Sequence, residues 1–291
     1  MAHNEKSDSG IHSGRGNILM TNDLFDLTGK VAIITGGAGL LGRQHAEAIA
    51  AFGGIPVIAD VDYESACYVA AEIRNKYHGK TIGYHCDVTF PQSIDSMLSG
   101  LLIESGLTVD ILINNVSCNA NIESLGENSR LEKYTPVAWE KDLELGLTSA
   151  FFCSKIIGGY MAKRGKGVIV NIASDLSVIA PDQRLYRKEG IADEGQPMKP
   201  ISYSVVKHGI IGLTKYLATY WAGKVRVNAI SPGGVFNNQP DDFVKHVNNL
   251  IPMGRMARVN EMQGALVFLA SDASSYITGQ NIIVDGGRTI I

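Results

Sequence analysis

The chain has 291 residues, 45% of them hydrophobic and 19% charged, with a formal net charge of −3. That length holds one large α/β domain with a substantial core, or two small domains. The charge balance excludes a broad nucleic-acid-binding surface, and no apolar run is long enough to span a membrane. The N-terminus has no apolar signal-peptide core. The four cysteines, Cys67, Cys86, Cys118 and Cys153, are scattered and form no C-x-x-C pair. They read as free thiols in a reducing compartment, so no metal site is expected and the cytoplasm is the expected location.

In chain order, the first stretch is polar and rich in Ser and Gly, "MAHNEKSDSGIHSGRGNILM". Residues 1–24 therefore read as a disordered tail ahead of a single domain at 25–291. From Lys30 on, apolar strand-like runs alternate with helix-like runs. The strands are expected at 30–35, 55–60, 81–86, 109–115, 167–174, 224–231 and 280–287. The helices are expected at 41–52, 64–77, 91–105, 136–163, 202–222 and 260–270. The strands are apolar on both faces, which suits a parallel sheet covered by helices on each side. Strict alternation predicts right-handed crossovers and a doubly wound α/β fold. Two segments, 116–135 and 175–201, exceed simple connections, and long loops in such folds concentrate function.

The first β–α turn is "TGGAGLLG", Thr35 to Gly42. Glycines here allow a tight turn and a close backbone approach to a pyrophosphate, with the following helix N-terminus facing the phosphate. The second strand ends in Asp60, whose carboxylate can accept bonds from both hydroxyls of an adenosine ribose and would repel a 2′-phosphate. NAD is therefore expected as cofactor over NADP. Asp87 and Val88 end the third strand, where an adenine ring can be held. Asn114 and Asn115 end the fourth, beside the expected topological switch point.

Further on, "YSVVK" places Tyr203 and Lys207 on one helix face. An ammonium beside a phenol favours the phenolate, which equips a tyrosine for proton transfer to or from an alcohol or carbonyl. Ser174, at the end of the fifth strand, can hydrogen-bond the same substrate oxygen.

In order and spacing these elements resemble the short-chain dehydrogenase/reductase family from Leu27 to Gly287. The matching stretches are "TGGAGLLG", "CDVT", "INN", "NIAS", "YSVVK", "VRVNAISPGGV", "PMGRMARVNEM", "FLASDASSYITGQ" and "VDGG". The resemblance implies a Rossmann-type sheet of seven parallel strands and a hydride transfer between a nicotinamide cofactor and an alcohol or ketone. By motif, Tyr203 matches the general acid/base, Lys207 the residue that binds the nicotinamide ribose, and Ser174 the substrate-orienting hydroxyl. Gly36, Gly39, Leu41, Gly42, Asp60, Asp87, Val88, Asn114, Pro232, Gly233 and Val235 match cofactor contacts, as do Tyr203 and Lys207. Dimers or tetramers are also implied, paired through the helices at 136–163 and 202–222.

The chain departs from the compact family pattern in four places. Gly146 stands where a proton-relay Asn is expected. "NNVS" replaces "NNAG". The third glycine of the phosphate loop is Gly39, one place early, the spacing of the extended branch that works largely on sugar nucleotides. The interval between Ser174 and Tyr203 is lengthened by residues 181–200, a polar, charge-balanced stretch. With Asn237, Asn238 and Gln239 after the sixth strand, that insertion favours a polar, sugar-like substrate, and the whole chain is similar to family members in surface-glycan and flagellin sugar modification. Two other readings are a ketoacyl-thioester reductase, against which Asp60 argues, and a non-catalytic NAD-binding regulatory or scaffold protein, against which the intact Ser174, Tyr203 and Lys207 argue. An extended-branch sugar-nucleotide epimerase or dehydratase would need a larger C-terminal substrate domain.

Overall fold

Seven strands form one parallel sheet in the order β3-β2-β1-β4-β5-β6-β7. The computed structural model describes residues 23–103, 105–117 and 122–291. The expected tail falls mostly outside these, as does Cys118. The strands are β1 (Val31–Thr35), β2 (Ile55–Asp60), β3 (Ile82–His85), β4 (Val109–Asn114), β5 (Gly167–Ile172), β6 (Val225–Pro232) and β7 (Asn281–Val284). The helices are α1 (Leu40–Ala51), α2 (Tyr63–Tyr77), α3 (Pro91–Ile103), α5 (Ile201–Tyr220), α6 (Asp241–Asn248) and α7 (Gln263–Ala270). Between α3 and α5 runs α4, built of Pro136–Leu143, Ser149–Cys153 and Gly159–Lys163 joined by π-helical turns at Glu144–Thr148 and Ser154–Gly158.

The doubly wound architecture follows from the strand composition. Ile33 and Ile34 are both fully buried, yet they enter different cores. Ile34 packs with Ile49, Val69, Ile73 and Leu266 from α1, α2 and α7. Ile33 packs with Ile94, Met97, Ile157 and Leu217 from α3, α4 and α5. Each such side chain taken from water contributes about 1.5–3 kcal/mol, so a strand apolar on both faces is stable only when helices cover both.

Helix ends follow local chemistry. Asp62 caps α2 by accepting the Ser65 amide at 3.0 Å. Thr135 caps α4 by accepting the Ala138 amide at 3.2 Å, with Pro136 in the first turn. Taking "FNNQPDDF" as loop misses α6, although the segment carries ordinary helix signals, with Asp241 and Asp242 in its first turn and Lys245 and His246 in its last. Packing adds to these: Val247 joins Ile251, Met256, Phe243 and Leu185 in a satellite core.

Several motif residues turn out to be structural. Arg226 donates to Ser274 Oγ at 2.8 Å and to the Ser271 carbonyl at 2.9 Å, which ties "SDASS" to β6. Asn228 accepts the Gln280 amide at 2.9 Å and sets the entry to β7.

His45 on α1 is fully buried and neither ring nitrogen has a partner. Burial pushes its pKa down to about 4. Above about pH 6.5 the ring is neutral both folded and unfolded, and there is no penalty. As pH falls from about 6.5 toward 4, the unfolded chain takes a proton that the folded one refuses, so stability is lost. The ceiling of this effect is about 3 kcal/mol. His45→Leu should therefore flatten the loss of melting temperature between pH 7.5 and 5. An unchanged pH slope would show that other groups carry the acid sensitivity.

Candidate active site

Between β1 and β4 the chain order of the sheet reverses, and a cleft of ≈ 820 Å³ opens at the C-terminal strand ends. This is where ligands bind in open α/β sheets. Gly36 leaves β1 with φ +60°. A Cβ on Gly42 would fall 2.2 Å from the Gly36 carbonyl oxygen, and one on Gly37 would fall 2.9 Å from the Ile34 oxygen. A Cβ on Gly39 would meet only the Gly36 oxygen, at 3.3 Å. Gly36, Gly37 and Gly42 are thus required by backbone geometry or space, whereas Gly39 is not. The early third glycine therefore leaves the turn intact, and Leu40, in the place of the usual glycine, is half-exposed at the cleft edge. Asn115 holds the turn against β4, donating to the carbonyls of Thr35 at 3.1 Å and Gly36 at 3.0 Å.

Asp60 lines the cleft, and its carboxylate accepts the Ala38 amide of the glycine turn at 3.0 Å and the Asp62 amide at 3.2 Å. Asp87 and Val88 line the same end, with Asp87 accepting the Thr89 amide at 3.0 Å. Asn114 lies elsewhere. It is buried within the sheet, donating to Asn171 Oδ1 at 2.8 Å and to Ser154 Oγ at 3.1 Å. Period-two alternation turns it away from the cleft, and Asn115 is the asparagine that lines it. Pro232, Gly233 and Val235 wall the cleft after β6. A Cβ on Gly233 would stand 2.8 Å from Asp285 Cα.

Ser174, Tyr203 and Lys207 come together at the far end of this cleft. Ser174 leaves β5 in extended conformation, and its hydroxyl donates to Asp175 Oδ1 at 2.8 Å. Lys207, almost fully buried, donates to the Ile172 carbonyl at 2.9 Å. Its nitrogen is 5.7 Å from the Tyr203 ring centroid, while the Lys199 nitrogen lies 3.8 Å from it. The sequence led us to expect that Lys207 draws the phenol toward phenolate. In the protein alone burial dominates. It pushes the Tyr203 phenol up, against the opposing hydrogen bond with Ser174. It also pushes Lys207 down to about 7, with Lys199 adding in the same direction. Taking a charge out of water outweighs a cation at that range. The pair is thus poised as a neutral phenol beside a readily deprotonated amine.

Gly146 occupies the first π-helical turn of α4, and a Cβ there would fall 2.6 Å from Val206 Cγ1. Val206 precedes Lys207 on α5, so this close helix contact leaves no room for an asparagine. The 181–200 insertion is an ordered wall. Gln196 is buried, and its side chain accepts the Lys188 amide at 2.8 Å and donates to the Lys188 carbonyl at 3.0 Å. Gln183 accepts the Lys199 amide at 2.8 Å, and Ser129 accepts the Met198 amide at 2.8 Å. The insertion brings Asp182, Leu185, Tyr186 and Lys199 to the cleft. Of the amides after β6, Gln239 is spent on backbone, accepting the Asn237 amide at 2.7 Å and donating to the Val235 carbonyl at 2.9 Å. Asn238, at φ +55°, faces a separate groove with Gln44 and Glu47. Of the three, Asn237 and Gln239 reach the cleft.

Sequence reasoning missed Asn115 as the cleft-lining member of its pair, and it missed Asp175 and Arg288, which also line the cleft. Only the "NN" doublet carried a readable signal. Nothing in "SDLS" or "GGRTII" marks a site.

Comparison with known proteins agrees with this geometry. Residues 30–186 match the family model described as short chain dehydrogenase, and residues 190–289 match one described as enoyl-(acyl carrier protein) reductase. An NADP-dependent mannitol dehydrogenase of Alternaria alternata is 34% identical over 275 residues, spanning 92% of this chain and 95% of its own. An NAD-dependent glycerol dehydrogenase of Listeria innocua is 33% identical over 273 residues, spanning 91% and 96%. The crystal structure of a gluconate 5-dehydrogenase from Burkholderia cenocepacia, in complex with NADP and tartrate, superposes with a TM-score of 0.81 at 26% identity, covering 94% of this chain and all of that one. The chain belongs to the short-chain dehydrogenase/reductase family. It is an oxidoreductase of CH–OH groups that works with a nicotinamide dinucleotide.

Gly39 and Gly42 differ in the room they leave for a side chain. Gly39→Ala should leave NADH affinity within about threefold of wild type, because the Gly36 carbonyl need give way by only a few tenths of an ångström to a Cβ 3.3 Å away. Gly42→Ala should lose binding at least about tenfold or fail to fold, since overpacking against backbone costs about 1–3 kcal/mol or more. Titration of NADH fluorescence on both variants tests this, and equal losses would contradict the steric account.

Proposed function

We propose that this enzyme is an NAD-preferring dehydrogenase of a polar, polyol- or sugar-like substrate. Tyr203 acts as general acid/base, Ser174 orients the substrate oxygen, and Lys207 holds the nicotinamide ribose. The observation that carries the reading is the meeting of Ser174, Tyr203 and Lys207 at one end of a cleft whose other end is the glycine turn with Asp60. The glycine cradle fits a dinucleotide, because side chains are excluded where a pyrophosphate must approach the backbone. Gly36, Leu41, Gly42, Asp60, Asp87, Val88, Pro232, Gly233 and Val235 would hold it, with Asn115 in place of Asn114. Gly39 lines the cleft as well. The bound nicotinamide supplies or accepts the hydride.

The rest of the chemistry belongs to the chain. Tyr203 in its neutral form can protonate a carbonyl oxygen during reduction. In oxidation, the positive charge that an oxidised nicotinamide would bring beside Tyr203 favours the phenolate, which can then take the alcohol proton. Asp60, aimed at the adenosine ribose, disfavours a 2′-phosphate by charge. The named relatives use either dinucleotide, so the preference rests on this carboxylate. Mannitol, glycerol and gluconate are what the relatives' names report. The charged lining at the catalytic end, with Asp175, Asp182, Lys199 and Arg288, fits such substrates better than an acyl chain. It also argues against the ketoacyl-thioester reading. Small-molecule turnover, a homo-oligomer paired through α4 and α5, and a cytoplasmic setting complete the proposal. Exposed Phe151, Val205, Tyr216 and Tyr220 on α4 and α5, and the free thiols of Cys67, Cys86 and Cys153, support the last two.

The reading is tested by reduction of NAD against a panel of polyols that includes mannitol and glycerol. Tyr203→Phe should lower kcat at least about 100-fold. The ratio of kcat/KM for NAD over NADP should exceed about 10 and fall in Asp60→Ser. NADP preference in the wild type would refute the role given to Asp60. Absence of turnover with every alcohol would refute the catalytic reading.

Lys207 gives a second test that does not need the substrate. Its lowered pKa means that from about pH 10.5 down to 7 the unfolded chain binds a proton the folded one resists, so the lysine destabilises the empty protein at neutral pH. Lys207→Met should abolish turnover and raise the melting temperature by about 3 °C or more at pH 7. A lower melting temperature would show that the hydrogen bond to Ile172 outweighs the burial cost.

A further inference from the structure

Arg288 follows β7 and opens the final turn, Arg288–Ile290, yet it is only 8% exposed and lines the catalytic end of the cleft. Its place is set by backbone. Asp285 accepts the Gly287 amide at 2.8 Å and the Thr289 amide at 2.7 Å, so that carboxylate is spent on the turn. Gly286 and Gly287, at φ +67° and +93°, bend the chain back toward β5. A Cβ on Gly287 would stand 3.0 Å from Pro252 Cγ. The guanidinium is therefore delivered on a rigid support.

Its hydrogen bonding is incomplete. Arg288 Nε is 3.1 Å from Asp175 Oδ2, but the pair lacks hydrogen-bond geometry and the buried Nε has no partner. A guanidinium carries five N–H donors, and burying donors unpaired is costly unless something supplies acceptors. Asp175 is used on one side only. Its Oδ1 accepts the Ser174 hydroxyl and the Leu176 amide, both at 2.8 Å, while Oδ2 meets Arg288. One residue from the serine that orients the substrate oxygen, the cleft thus offers a donor-rich cation and a carboxylate oxygen side by side. A hydroxyl can accept from the first and donate to the second. A substrate carboxylate would be repelled by Asp175, and a methyl group would leave both unsatisfied.

We propose that Arg288 and Asp175 form a subsite for a substrate hydroxyl adjacent to the reacting carbon, which makes the enzyme selective for vicinal diols over simple alcohols. This rests on the oxidoreductase reading above. Tyr186 lines the same cleft from the insertion.

The matched pair propane-1,2-diol and propan-2-ol differs by one hydroxyl. With wild type and NAD, kcat/KM for the diol should exceed that for the mono-ol at least about 100-fold, as expected of a site built to hydrogen-bond that group. Arg288→Met should reduce this ratio at least about tenfold, and Arg288→Lys should restore part of it, with NADH affinity measured alongside. A wild type that treats both alcohols alike overturns the inference. So does an Arg288→Met enzyme that loses activity on both equally and keeps the ratio. If neither alcohol is oxidised with NAD or NADP, the oxidoreductase reading still stands or falls separately, on the polyol panel above. The same pair is then compared by calorimetry on NADH-loaded protein. Diol-selective binding that Arg288→Met abolishes supports the subsite, and equal affinity overturns it.

Discussion

The side-chain amide of Asn115 donates to the carbonyls of Thr35 and Gly36, and the architecture of the cleft depends on this clamp. It joins β1 to β4 at the point where the sheet reverses its order. On one side it fixes the glycine turn. On the other it ends β4 so that Val116 turns into the cleft, close enough to meet a Cβ on Gly36 at 3.1 Å. A parallel sheet buried on both faces has few places for unpaired polar groups other than its strand ends. The glycine turn, Asp60, Ser174, Tyr203 and Lys207 are therefore all found along one edge.

The catalytic end shows how burial sets chemistry. Lys207 is almost fully buried and Tyr203 half-buried in the cleft wall, and burial drives each toward its neutral form. The same burial strengthens the effect of any bound charge on them. A cationic cofactor would change the balance between phenol and phenolate far more here than on an exposed helix. Burial of Lys207 costs the empty protein stability, and under the proposed mechanism the same burial would let a ligand's charge set the proton state of Tyr203.

Residues 181–200 change the shape of that end without changing the chemistry. Two glutamine side chains scaffold the stretch from within, Gln183 tying itself to the Lys199 backbone and Gln196 to the backbone of Lys188 and Ile191. Leu185 then packs on α6, and the rings of Tyr186 and Phe243 lie 6.0 Å apart. The insertion and α6 thus form one wall.

Much of this molecule was legible in its sequence because the relevant signals are local. Alternating apolar runs imply a sheet covered on both sides, since Val, Ile and Leu at every strand position leave no face for water. "TGGAGLLG", the acid ending β2 and "YSVVK" each encode their geometry within a few residues. Other features arose only from tertiary contact. Asn114 and Asn115 are adjacent and chemically identical, and only the pleat decides which one meets the cleft. Gly39 and Gly42 look alike, and only the closer approach of the Gly36 carbonyl to Gly42, 2.2 Å against 3.3 Å from a Cβ, makes that one required. The pairing of Asp175 with Arg288 joins residues far apart in the chain, and nothing near either one marks it. Strand alternation and turn chemistry are properties of neighbours along the chain. The charges that meet beside Ser174 are brought together by the sheet, and no local pattern records that.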